Sequence, residues 1–209
     1  MTGFRRPHAT RLRRLAIGGV SATLLASAFG CSSPPLPAFD LTAPRQSVGG
    51  GLAGGQLVVA EPAAIQPLEA ERILVRDAAG SVSYLAGAQW ADRLPRLLQT
   101  RLIQTFENAT RIRAVSRPGE GVTADYQLNT EIRAFQLDAA RGDAFVEISA
   151  KVVASANGHI ANARVFSTRV PVPSAEGPIV AQALDRALSV VLLDIVRWAG
   201  TGHSLRRIT

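Results

Sequence analysis

The sequence predicts an α+β fold: a largely antiparallel β-sheet with two helices packed on one face. Three observations carry this. Apolar residues recur at helical spacing over Trp90–Asn108, a second helical face runs over residues 175–199, and between them lies a long alternating stretch with a strong turn at Asn157-Gly158. The 209 residues suit one domain with some non-globular sequence attached. At 47% hydrophobic, the chain has enough apolar material for a core, which excludes a wholly disordered protein.

Charge and rare residues exclude further classes. The net charge is +7, but Arg5, Arg6, Arg11, Arg13 and Arg14 lie in the first 30 positions, where no acid occurs. The remainder holds 18 basic and 16 acidic residues, a net of +2. The basicity therefore belongs to the leader, and no nucleic-acid partner is expected. One cysteine and three histidines (His8, His159, His203) leave no disulfide framework and little for metal or nucleophile–base chemistry, so no metal and no cofactor are expected.

Residues 1–30 read as a signal peptide. A positive stretch to Arg14 precedes an uncharged run, Leu15 to Phe29, too short for a comfortable membrane span of about 20 residues. The segment Ala28-Phe29-Gly30-Cys31 resembles a bacterial lipobox, with Cys31 the sole cysteine of the chain. That resemblance implies cleavage between Gly30 and Cys31 and acylation of Cys31 by fatty acids of the palmitate kind. The alternative is an ordinary signal peptide with an incidental cysteine. In lipoprotein sorting, Ser32 in place of an Asp leans toward the outer membrane, with the domain facing the periplasm.

Residues 31–56 are rich in proline and glycine and read as a lipid-anchored tether, with Phe39-Asp40-Leu41-Thr42 as a short strand inside it. Gly49, Gly51 and Gly54 satisfy G-x-G-x-x-G, but they follow a linker and precede a strand, the reverse of a dinucleotide loop. The domain is expected over residues 57–200, with residues 201–209 as a polar tail.

Within it, Leu57–Ala60 and Arg72–Arg76 read as strands, and Asp77-Ala78-Ala79-Gly80 as the turn to a hairpin partner over Ser81–Leu85. The helix follows: Trp90, Leu94, Leu98, Leu102 and Phe106 recur every four residues, with Leu97 and Ile103 widening the stripe and Arg93, Arg96 and Arg101 outside it. Asp92 is the expected cap, with Pro95 in the first turn. Ile112–Val115 reads as a short strand. Tyr126, Leu128, Ile132 and Ala134 then alternate with polar residues until the phase slips at Phe135 and Leu137, the mark of a bulge. Ala144 to Ala154 keeps one parity, Asn157-Gly158 turns the chain, and Ile160–Val170 returns, stopped by Pro171 and Pro173. The last helix carries an apolar face of Ile179, Ala183, Leu184, Leu188, Val191, Ile195 and Trp198, with Ser174 as its expected cap and Gly200 as its stop.

The segment Tyr84-Leu85-Ala86-Gly87-Ala88-Gln89-Trp90-Ala91-Asp92-Arg93-Leu94-Pro95-Arg96-Leu97-Leu98-Gln99 resembles the hallmark of the ABC-type transport auxiliary lipoproteins, the PqiC-type component of MCE transport systems. The lipobox, the Phe39-Asp40-Leu41 strand and the C-terminal helix follow in the order of that family. The resemblance implies a non-enzymatic lipoprotein. It would dock a periplasmic MCE-domain protein at the membrane and serve, indirectly, an inner-membrane ABC permease and ATPase that move phospholipid or other hydrophobic molecules. Read from the residues, Trp90 is first a structural anchor, while Arg93, Arg96 and Tyr84 are the candidate partner-binding residues. A homo-oligomer stays open. So does a second reading, an envelope-assembly or enzyme-activating lipoprotein with the same anchor. A hydrolase using paired carboxylates lacks any local motif.

Overall fold

A computed structural model describes residues 35–47, 55–109 and 115–201. The expected signal peptide, Cys31 and residues 202–209 lie outside them. The strand that organises the fold is the alternating stretch, Tyr126–Asp138 (β7). On one edge it pairs along its whole length with Asp143–Ala154 (β8), which pairs in turn with Ile160–Pro171 (β9), both antiparallel. On its other edge, Leu57–Val59 (β2), Ala63–Ala64 (β3) and Arg72–Arg76 (β4) follow one another, each parallel to it. Val82–Trp90 (β5) runs antiparallel to β4, and Ala38–Phe39 (β1) lies parallel to β5. Val115–Ser116 (β6) pairs with β2. The sheet is thus mixed. Its long ladders are antiparallel, and its parallel ladders are two or three residues each.

The predicted slip of phase is a bulge between Ile132 and Ala134. It lets Leu128, Thr130, Ile132, Phe135 and Leu137 all face β8 residues of one parity, Val152, Ala150, Ile148, Val146 and Ala144. Gly158 adopts a positive φ of 70° in the loop at residues 155–159, where its N–H donates to the Ala154 carbonyl.

Two helices, Leu94–Ala109 (α1) and Gly177–Thr201 (α2), contact each other and share one core with the sheet. The second lies mainly across β8 and β9. At about 1.5 Å per residue its 25 residues run roughly 37 Å. Ala183, Leu184, Ala187, Leu188, Val191, Leu192, Ile195 and Val196 are all buried and form one continuous face, while Pro178, Gln182, Arg186 and Val190 recur every four residues on the exposed side.

Several expectations are corrected. Trp90 ends β5 and does not start the helix; α1 begins at Leu94. The stripe starting at Trp90 looked continuous because a strand residue at the sheet end points into the same core as the first helical turn. Asp92 is displaced from the cap position, since the Arg93 carbonyl takes the N–H groups of Arg96 and Leu97. Ser174 does not cap α2: its hydroxyl is buried without a partner, and α2 opens instead with the Val180 N–H on the Glu176 carbonyl. Gly200 lies within α2, which reaches Thr201. Only Val115 of the expected strand Ile112–Val115 is described, and it is in β6. The folded unit begins at Leu36, well before Leu57. Of the strand expected over Phe39–Thr42 only Phe39 lies in a strand, paired with Trp90, while Leu41 is buried in the core.

Candidate functional site

The family-like segment folds as a bulge, a turn and a helix start. Arg72 pairs with Gln89 and Leu74 with Tyr84, so β5 carries three more residues than β4 over that interval. The excess is accommodated at Gly87, whose φ of 72° a residue with a Cβ rarely adopts. The bulge shifts the inward positions, so that Leu85, Ala88 and Trp90 are all buried. Helix α2 seats it: a Cβ on Gly177 would lie 2.6 Å from the Ala88 Cβ and 3.2 Å from the Gly87 carbonyl oxygen.

Trp90 is 1% exposed and meets Phe135 edge-on, with ring centroids 5.6 Å apart. The Trp90 backbone N–H donates to the Glu71 carbonyl at 2.6 Å, and the Ala91 backbone N–H to the Phe39 carbonyl at 2.8 Å. The Trp90 ring therefore joins β5 to β7, while its backbone and that of Ala91 tie the end of β5 to Glu71 and to β1.

The turn itself is polar and balanced. Asp92 Oδ1 accepts the Arg93 N–H at 2.7 Å, and Asp92 Oδ2 lies 3.5 Å from Arg96 Nη1. Arg93 Nη2 donates to Glu61 Oε1 at 2.8 Å. Arg96 stands out furthest, its side chain 63% exposed. Arg93 and Arg96 thus share one exposed knob of two cations and two carboxylates. Tyr84 is elsewhere. Measured along β4 it is three residues from the Trp90 end, about 10 Å at 3.3 Å per residue. Its partner is Arg72, whose guanidinium lies 5.0 Å from the ring centroid. Gly30 and Cys31 lie outside the described residues.

Sequence reasoning missed a second feature, a polar clamp on residues 38–45. Asp185 of α2 accepts both the N–H and the hydroxyl of Thr42, each at 2.7 Å. Asp40 pairs with Arg101, which also donates to Gln104 Oε1 at 2.7 Å. Asn108 Nδ2 reaches the Pro44 carbonyl at 3.3 Å. Asp40, Thr42, Arg45, Arg101, Gln104 and Asn108 border a cleft of about 620 Å³. The Arg101 side chain is only 14% exposed, although its place beside the apolar stripe reads as solvent-facing. Its head meets a carboxylate brought from 61 residues away, which spacing on the helix cannot reveal.

Among the described residues, no group of three or more His, Cys, Asp or Glu is arranged to hold a metal ion, and no helix is long and apolar enough to cross a membrane.

Comparison with known proteins matches this architecture. The sequence model of the ABC-type transport auxiliary lipoprotein component family matches residues 39–196, from β1 to the last turns of α2. A protein of Bradyrhizobium diazoefficiens, itself uncharacterized, is 34% identical over 147 residues; the match takes in 68% of this chain but only 38% of that protein's length. The crystal structure of XCC0632 from Xanthomonas campestris, assigned to the DUF330 family, superposes with a TM-score of 0.71 at 27% identity, covering 79% of this chain and 93% of that one. A second solved structure, of an uncharacterized protein, shares the fold at a TM-score of 0.59 and 12% identity, over 78% of this chain and 97% of its own. The chain belongs to the ABC-type transport auxiliary lipoprotein component family.

Proposed function

We propose that this transport auxiliary lipoprotein is a non-enzymatic docking subunit. It would be held at the outer membrane by an acylated Cys31 and would bind a periplasmic MCE-domain protein of an ABC-type system moving phospholipid or other hydrophobic molecules. The observation that carries the reading is the family match spanning residues 39–196, which takes in the bulge, the turn and α1. The geometry supports docking at the knob. Arg93 closes the turn and Arg96 lies in the first turn of α1, on a backbone that follows the buried Trp90, so their presentation to a partner needs no ordering of the main chain. Arginines on such rigid supports often concentrate binding energy.

Glu61 and Asp92 make the knob nearly neutral, so Arg96, the more exposed and more weakly paired cation, is the position to reverse. Capture of a purified MCE-domain protein by the intact lipoprotein should weaken about tenfold in Arg96→Glu, one decade per 1.4 kcal/mol. The variant should melt as the wild type does. Failure of the wild type to capture an MCE-domain protein overturns the reading. Undiminished capture by Arg96→Glu moves the contact off the knob.

A further inference from the structure

We infer that the β1–β5 edge of the sheet rests on the bilayer that holds Cys31. The inference deepens the anchor reading above and rests on it. Cys31 and Leu36 are five residues apart. A fully extended chain covers at most about 3.3–3.6 Å per residue, so an acylated Cys31 keeps Leu36 within about 18 Å of the headgroup region. A domain starting at Leu57 would have hung from a far longer lead.

The chain cannot be paid out further without breaking the fold. The Gln89 N–H donates to the Pro37 carbonyl at 3.1 Å, and Ala38 and Phe39 pair with Gln89 and Trp90. Leu41 is buried, and Asp185 holds Thr42.

The edge nearest this attachment has the chemistry of a lipid-facing surface. Strand β1 covers β5 only at Gln89 and Trp90, which leaves Val82–Gly87 outermost among the described residues. Leu36 is 38% exposed, Val82 43% and Tyr84 41%. Arg72 stacks on Tyr84, and Arg76 stands in register with Val82. Aliphatic, tyrosine and arginine side chains together suit the headgroup boundary, where an apolar body and a polar tip are both satisfied. Glu71 and Asp77 flank the two arginines, and Asp77 Oδ1 is engaged by the Ser81 N–H at 2.8 Å, so contact here is driven by apolar burial more than by charge.

The opposite edge, β9, also exposes Ile160 and Val165, so exposure alone does not choose between them. Chain length does. From β1 through β5, β4, β7 and β8 to β9 is five strand spacings, about 24 Å at 4.8 Å each.

The test uses the full acylated chain in phosphatidylethanolamine–phosphatidylglycerol vesicles carrying headgroup-nitroxide lipid. The thioether consumes Cys31, so Val82→Cys or Val165→Cys supplies the one thiol for a fluorophore. Quenching should be about threefold or more stronger at position 82 than at 165, because surfaces of this kind enter roughly 5–10 Å into the headgroup boundary. Equal or reversed quenching on protein shown by mass to be acylated overturns the edge assignment and leaves the anchor standing. A mass showing an unmodified Cys31 overturns both.

Discussion

On one edge of β7, β8 runs alongside for twelve register pairs, and β9 adds eleven more to β8; on the other edge β2, β3 and β4 share the strand in runs of three, two and three. The antiparallel slab under α2 is held by long ladders, each with a single register shift, and a deeply apolar interface. The parallel side is assembled from short pairings, a bulge, a half-buried ion pair and single pinning side chains. Stability in the slab is shared over many residues. On the parallel side it is concentrated in a few, and those few also position the surfaces proposed for the partner and the membrane.

The largest effect is expected where the two sides meet. Trp90→Ala removes the side chain that packs on Phe135 from the end of β5. It should cost about 3–5 kcal/mol, the range for deleting a buried aromatic, against a total of roughly 5–15 kcal/mol for a domain. Chemical denaturation measures it. A loss below about 1 kcal/mol, the scale of an ordinary surface change, would mean that the halves are joined elsewhere.

An intermediate effect sharpens the contrast. Asp185→Ala removes both bonds to Thr42. It should release residues 38–45 locally, raising their amide exchange, while the midpoint of global unfolding moves by no more than about 1 kcal/mol, as for exposed polar pairs. Faster exchange in β8 as well would erase the distinction between the two sides.

The smallest effect lies in the slab. Burial alone would raise the Asp138 carboxyl, but hydrogen bonds from Arg169 and the Arg141 N–H, with the charges of both arginines, hold it below its ordinary value of 3.8. A depressed carboxylate contributes stability that is fully present above its unfolded value and is lost as pH falls through the folded one. Asp138→Asn should therefore lower the melting temperature slightly near neutrality, and the gap to wild type should narrow as pH falls below the ordinary value of 3.8. A gap that widens in acid would contradict the assigned cause.

The same contrast explains what the sequence reveals. The slab is legible because its determinants are local: one parity from Ala144 to Val152, the phase slip before Phe135, the Asn157-Gly158 turn and the helical face of α2. The parallel side is less so. Two-residue strands such as β3 leave no periodic trace, and whether Phe39 and Leu41 belong to a tether or to the core depends on Trp90 and Asp185, far away in the chain. Of the candidate site, Arg93 and Arg96 are exposed on the turn as their places outside the stripe suggest. The clamp that would fix the reach of the proposed anchor arises from pairs 61 and 143 residues apart, and no local pattern encodes it.

The account turns on the partner meeting the bulge–turn–helix side and not the slab. Amide hydrogen exchange on the acylated protein, with and without a saturating MCE-domain protein, tests this directly. The account predicts slowed exchange confined to the turn and first helical turn, residues 91–97, with β8 and β9 unchanged. Protection that appears along β9 while residues 91–97 stay as they were would contradict it.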